Sequence, residues 1–229
     1  PRAEAPSPNQ PAGTASIPAG DVVIQSPPNT PRPPFRFSTD DELLLDEVQR
    51  GAFLYLWHEA SAATGMVRDR SSTPVISIAG VGFQLSGIPI GVERGWITRD
   101  QGLARARLIL TSLLANPDNR KAGLFYHFLD PDTAAPAAGA YEHTVSTIDS
   151  ALLFAGVITA GAYFGGDIDE RARRIIADAD WRFFVLQQSD KPYEVGFISL
   201  GWQPRENAKP TPPIPPTGDG SLLPFVWAD

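Results

Sequence analysis

The sequence predicts an all-α fold of the two-layer α/α toroid type. Three observations carry that prediction. Ser71 to Val92 holds no Asp, Glu, Lys or Arg, and Ser150 to Gly166 is equally free of charge. The segments before, between and after them are charged and amphipathic. A helix that is apolar all round is buried on every side, whereas an amphipathic helix has one wet face. Alternation of the two kinds writes inner helices lined by outer ones.

The first helix is expected from Thr39 to about Ala60, with Thr39 and Glu42 in capping-box spacing. Leu44, Leu45, Val48, Ala52, Phe53 and Leu56 form its apolar stripe, and Asp41, Asp46, Glu47 and Arg50 lie outside it. Ser61 to Gly65 breaks it. The second helix, an inner one, is expected over most of Val75 to Val92, with Gly80, Gly82 and Gly87 permitting close packing. Thr98 and Gln101 repeat the capping-box pattern and open a third helix that runs to about Ala115. Asn116-Pro117-Asp118-Asn119 closes it. Leu124 to Leu129 alternates weakly and predicts a short extended piece. The fourth helix, again an inner one, is expected from Ser146 to Phe164. Asp167, with Glu170 three residues on, is expected to cap the fifth, whose Ile168, Ala172, Ile175, Ile176, Ala179 and Phe183 face inward. Short extended runs over Tyr193–Leu200 and a Pro-rich loop from Pro204 to Pro216 follow.

Five helices, or six, are fewer than a closed toroid needs. The sequence also stops at Phe225-Val226-Trp227-Ala228-Asp229 without a terminating signal. The expectation is therefore the N-terminal half of a longer helical domain over residues 39–229. Residues 1–38 are expected to be a separate tether. Ten of the 23 prolines fall before Phe35, among Ala, Ser, Thr, Asn and Gly, and such a segment has little to bury. Tails of this kind follow cleaved export signals, which points to the periplasm or the outside of the cell.

Composition excludes several functions. The net charge is −7, and no Lys/Arg run is dense enough to track a phosphate backbone. Nucleic acid is not an expected partner, and a polybasic membrane anchor is absent. With no cysteine there is no disulfide, thiol catalysis or Cys-bound zinc. Neither charge-free stretch reads as a membrane span. The first contains Gln84, Pro89 and several serines, and the second is short and carries four glycines. His58, His127 and His143 are not spaced as a metal cluster, and no cofactor is expected. The sequence leaves the oligomeric state open.

Parallel inner helices would open at one face. Asp69 and Arg70 precede the second helix, and Glu142 and Asp149 flank the start of the fourth. These four residues are expected to share one mouth, beside positive helix ends that favour anionic carboxylates.

Several blocks resemble the glycoamylase-like family, which includes the endo-β-1,2-glucanases of glycoside hydrolase family 144. They are Thr64-Gly65-Met66-Val67-Arg68-Asp69-Arg70-Ser71, Ala79-Gly80-Val81-Gly82-Phe83 and Pro89-Ile90-Gly91-Val92-Glu93-Arg94-Gly95-Trp96-Ile97-Thr98. Gly123-Leu124-Phe125-Tyr126-His127-Phe128-Leu129-Asp130, Ser146-Thr147-Ile148-Asp149-Ser150-Ala151-Leu152-Leu153 and Gly201-Trp202 follow in the same order. The resemblance implies an (α/α)6 barrel that acts on glucans without a required metal, and a further half bearing another acidic helix. One position departs. The family places a Glu two residues before Ser-Thr-Ile-Asp, where this chain has Thr144. Either the loop is re-routed and Glu142 fills the role, or the site has changed.

Glycoside hydrolysis needs two carboxyls, roughly 5–5.5 Å apart for retention and roughly 6.5–9.5 Å apart for inversion. Glu142 is the candidate acid, and Asp149 the candidate to orient it or bind hydroxyls. Asp69, with Arg70 as a rigid fork of donors, is a candidate for binding sugar hydroxyls. His127 is a further candidate contact, and Tyr126, Tyr141 and Trp202 are candidate stacking platforms. Each has a purely structural alternative. Asp149 caps a helix, Asp69 and Arg70 pair with each other, Glu142 is a solvated loop residue, and His127 and the aromatics are packed. The expected function is hydrolysis of a β-glucan such as β-1,2-glucan. A non-catalytic glycan-binding protein and a transglycosylating domain of a polysaccharide synthase are the alternatives.

Overall fold

The computed structural model describes residues 36–138, 143–205, 219–224 and 226. The expected tether therefore lies outside the described residues except for its last three. Among the described residues there are five α-helices: α1 (Thr39–His58), α2 (Ile78–Glu93), α3 (Arg99–Ala115), α4 (Thr147–Phe164) and α5 (Gly166–Ala177). α2 and α4 lie side by side as the inner layer. α1 packs on α2, α3 bridges α2 and α5, and α5 packs on α4.

The inner pair is held by glycine. A Cβ added at Gly82 would run into the Leu152 carbonyl, and one at Gly156 would run into the backbone of Gly82 itself. Only glycine lets two helix backbones approach this closely. Ile78, Val81, Leu85 and Ile88 of α2 then meet Leu153 and Val157 of α4, above Ile109, Leu110 and Leu113 of α3, in one buried cluster. At the far end the Tyr163 hydroxyl donates to Glu93 Oε1 at 2.5 Å. The C-terminal ends of α2 and α4 thus meet, as do their starts (below), so the two helices are parallel. By length and composition α4 is apolar enough to cross a membrane, but its Gly156 face is pressed against α2.

Capping follows the sequence in α3 and departs from it in α1 and α5. Thr98 accepts from the Gln101 amide at 3.2 Å, and the Gln101 side chain accepts from the Thr98 amide at 2.8 Å. Ser146 caps α4 by accepting from the Asp149 amide at 3.3 Å. In α1 the cap is Ser38, paired with Asp41, not Thr39 with Glu42. Thr39 is already helical, whereas Ser38 has the extended backbone of a cap. In α5 the cap is Gly165 at φ +68°, not Asp167. The Asp167 carboxylate is instead taken by Arg107 of α3 in two 2.8 Å bonds. The positive φ of Gly165 and Gly166 reverses the chain between α4 and α5 with no loop.

The apolar stripe expected on α1 is buried only in part. Phe53 packs against Gly91 of α2, but Leu44 and Val48 are 59% and 60% exposed. α1 runs antiparallel to α2, and the Asp46–Arg94 ion pair at 3.0 Å marks where α2 ends. The first turns of α1 extend past that point and have nothing described to rest on.

Short strands form a collar at the starts of the inner helices. β1 (Ile76–Ser77) pairs with β4 (Phe128–Leu129), and β2 (Arg120–Lys121) with β3 (Leu124–Phe125). β5 (Val145–Ser146) pairs with β6 (Gly201–Pro204), which pairs with β7 (Gly220–Leu222). The bridges Arg68 to Ile76 and Tyr126 to Val145 join these ladders into one rim. Because β1 is drawn into the rim, α2 begins at Ile78 and not at Val75. The run expected to be extended from Tyr193 starts as a 3-10 turn over Pro192–Glu194 and becomes strand-like only near Ile198.

Candidate active site

The collar brings the two helix mouths together through the backbone of His127. Its carbonyl accepts from the Ile78 amide, the first of α2, at 3.1 Å. Its own amide donates to the Thr144 carbonyl, just before β5 and α4, at 2.8 Å. One residue therefore ties the starts of both inner helices, and its side chain sits at their junction. The ring stacks on Phe128 at 3.9 Å with planes 18° apart. Its Nε2 lies 3.7 Å from Asp149 Oδ1.

Asp149 is in the first turn of α4. Its Oδ2 receives the Ser146 hydroxyl, while its amide donates back to Ser146 Oγ. The cap of α4 is thus Ser146 and not Asp149, whose carboxylate takes the hydroxyl of the cap on one side and faces His127 on the other. Beneath them Ser150 is fully buried. Its hydroxyl donates to the Ser146 carbonyl at 2.6 Å and accepts from the Phe125 amide at 2.9 Å, which joins α4 to β3.

Asp69 and Arg70 sit on the same rim. The Asp69 amide donates to the Val75 carbonyl at 2.9 Å, and neighbouring Arg68 bridges to Ile76 of β1. Their side chains pair at 3.2 Å, so the ion-pair alternative is present, with the Arg70 guanidinium largely in solvent. Tyr55 donates to the Arg68 carbonyl at 3.0 Å. Burial, helped by the Glu59 and Asp69 carboxylates, pushes its phenol above the usual value.

Two of the expected stacking platforms are closed. Trp202 is only 3% exposed, with the Lys121 ammonium 4.9 Å from its ring and Gly220 packed against it. Tyr126 is 9% exposed and lies against His143 with ring centroids 5.5 Å apart. Neither has an open ring face to offer a sugar; both are parts of the collar. Glu142 and Tyr141 lie outside the described residues. Among the described residues no three His, Asp or Glu side chains are grouped to hold a metal ion.

Sequence reasoning did not anticipate how polar side chains build this rim. Thr144 is buried and accepts from the Gln203 amide group at 2.8 Å, which makes it part of the collar's wiring. Thr147 donates to the Ser199 carbonyl at 2.8 Å. Gln84, 1% exposed, accepts from the Val67 amide and donates to the Leu56 and Gly65 carbonyls, fixing the loop that carries Asp69. An uncharged amide in an otherwise apolar helix was the one available signal for Gln84. For Ser146 it was the Ser-x-x-Asp spacing.

The rim therefore offers a half-buried imidazole beside a carboxylate, and a second carboxylate with a guanidinium, around two positive helix ends. That set can hydrogen-bond a polyol from several sides.

No family model matches the chain. It is 32% identical over 163 residues to an exo β-1,2-glucooligosaccharide sophorohydrolase (non-reducing end) of Parabacteroides distasonis, across 67% of this chain and 22% of that protein. Among solved structures it is similar to a β-1,2-glucanase from Parabacteroides distasonis, with a TM-score of 0.62 and 27% identity over 76% of this chain and 25% of the other. An endo-β-1,2-glucanase from Chitinophaga pinensis shares the fold, with a TM-score of 0.61 and 21% identity over 75% of this chain and 42% of the other. The chain thus spans about a fifth of the length of its curated relative and between a quarter and a half of these structures. In sequence the chain thus resembles an exo β-1,2-glucooligosaccharide sophorohydrolase, and in fold it resembles the β-1,2-glucanases.

Proposed function

We propose that this chain is part of a glycoside hydrolase that cleaves β-1,2-glucan internally. The observation that carries the reading is its likeness to a β-1,2-glucanase over three quarters of its length, at 27% identity. The collar supports it, because carbohydrate recognition needs convergent donors and acceptors in a partly dry cleft. In this reading Asp69 and Arg70 hold sugar hydroxyls, and Glu142 supplies the proton to the leaving oxygen. The second carboxyl comes from a helix outside this chain.

The five helices are one arc of an (α/α)6 toroid in the same reading. α4 supports this with an outward stripe of Ile148, Ala151, Ala155, Ile158 and Ala162, all exposed and uncharged. A groove of about 580 Å³ between Ile158 of α4 and Ile176 of α5 continues it. A further inner helix fits there as α2 fits on the opposite flank. The absence of cysteine and the Pro-rich opening support work in the periplasm or outside the cell.

The test is to incubate the full-length protein that carries this chain with β-1,2-glucan and measure new reducing ends. Short linear oligosaccharides are the expected product. Larger or cyclic products would indicate transglycosylation, and binding without new ends would indicate a glycan-binding protein. Full turnover by Glu142→Gln would remove Glu142 from the acid's role.

A further inference from the structure

Building on the glucan-hydrolase reading above, on which it rests, we infer that Tyr55 of α1 is a positioning residue that aims Asp69 at the sugar. Asp69 is suited to touch substrate. Its side chain is 24% exposed, its Oδ2 pairs with Arg70 Nε at 3.2 Å, and its Oδ1 accepts no hydrogen bond among the described residues. A carboxylate with an open oxygen binds a hydroxyl only as well as it is aimed. Arg70 cannot set that aim, because its side chain is 76% exposed and rides on the same loop.

The aim comes from one peptide group. The Arg68 carbonyl and the Asp69 amide belong to the same planar unit. Its oxygen accepts from the Tyr55 hydroxyl at 3.0 Å, and its N–H donates to the Val75 carbonyl at 2.9 Å. The plane is pinned at both edges, and with it the direction in which the Asp69 side chain leaves the backbone. Val75 is part of the loop itself. Tyr55 is the tie from outside, on a helix whose Phe53 is packed against Gly91 of α2. Burial, then the Glu59 and Asp69 carboxylates, push the Tyr55 phenol above its usual value, so it stays a protonated donor at neutral pH.

The test uses Tyr55→Phe in the full-length protein. Asp69 holds the sugar before and during bond cleavage, so KM should rise about fivefold with kcat changed by less than about twofold. Asp69→Asn should raise KM by on the order of 10–100-fold. Once that oxygen is gone there is nothing for Tyr55 to aim, and Tyr55→Phe should add less than about twofold to Asp69→Asn. Effects that multiply, or an unchanged KM in Tyr55→Phe, would overturn the inference. A substrate-free arm reads the loop directly. Tyr55→Phe should speed amide hydrogen exchange at Asp69 by on the order of fivefold and leave the amides of α3 as they were. Unchanged exchange at Asp69, or an equal rise in α3, overturns the positioning role whatever the substrate. A wild-type protein inert toward β-1,2-glucan defeats the hydrolase reading instead, and the exchange result then decides by itself whether Tyr55 holds Asp69.

Discussion

Replacing Gly82 by alanine should separate the inner helices. In an ordinary helix this change stabilises by about 0.5–1 kcal/mol, because glycine loses more chain entropy on folding. At Gly82 the new Cβ lands on the Leu152 carbonyl and close to the Leu153 Cα. Those atoms are backbone and cannot swing aside. α2 and α4 must part by about 1 Å, which forfeits between a quarter and a half of each dispersion contact between them. Overpacking of this kind costs about 1–3 kcal/mol, so the net loss is about 1–2 kcal/mol. For a domain of this size the melting temperature should fall by about 2–8 °C. Gly51 is the control. It lies mid-helix in α1 with nothing within 4 Å of an added Cβ, and Gly51→Ala should raise the melting temperature by about 1–4 °C. Thermal unfolding followed by circular dichroism reads both. A Gly82→Ala protein as stable as Gly51→Ala would show that the two inner backbones are not in contact, and the parallel pair that sets the mouth would go with it.

Gln84→Leu removes one acceptor and two donors at a buried point, leaving the Val67 amide and the Leu56 and Gly65 carbonyls without partners. A loss of about 3 kcal/mol is expected, seen as a lower urea midpoint at unchanged m-value. Thr98→Ala deletes the cap of α3 and should cost about 1 kcal/mol by the same titration. Asp167 is held at about 2 by its hydrogen bonds to Arg107, with Arg171 adding to the effect. A carboxyl depressed in the folded state stabilises above its unfolded value of about 3.9 and loses that contribution as pH falls through about 2. Asp167→Asn should therefore flatten the fall in melting temperature between pH 4 and pH 2. A variant whose acid limb matches the wild type would show that the Arg107 pair does not hold in solution.

The helices were legible because burial writes itself as composition. The charge-free runs at Ser71–Val92 and Ser150–Gly166 located α2 and α4, and Thr98 with Gln101 located the start of α3. The collar was not legible for a reason of scale. Most of its strands are two residues long, too short to show a period, and their partners lie up to 57 residues away, as for Val145 and Trp202. Asp167 misled because an acid near a helix start is a good cap when alone. Here Arg107 of another helix outbid the backbone for it. Of the site, the placing of Asp69 beside Val75 at the entry to α2, and of Asp149 in the first turn of α4, followed from the helix boundaries. The burial of Trp202 and Tyr126 did not, since an aromatic carries the same letter whether it lines a cleft or closes a rim.

The opening turn of α4 is completed by residues more than fifty positions later. The Thr147 amide donates to the Leu200 carbonyl, and its hydroxyl to the carbonyls of Ser199 and Leu200. During synthesis, α4 therefore leaves the ribosome well before its first turn has its partners. Until Leu200 emerges, the mouth of that helix stays open to water and to chaperones, and the rim closes late, after the helices it crowns.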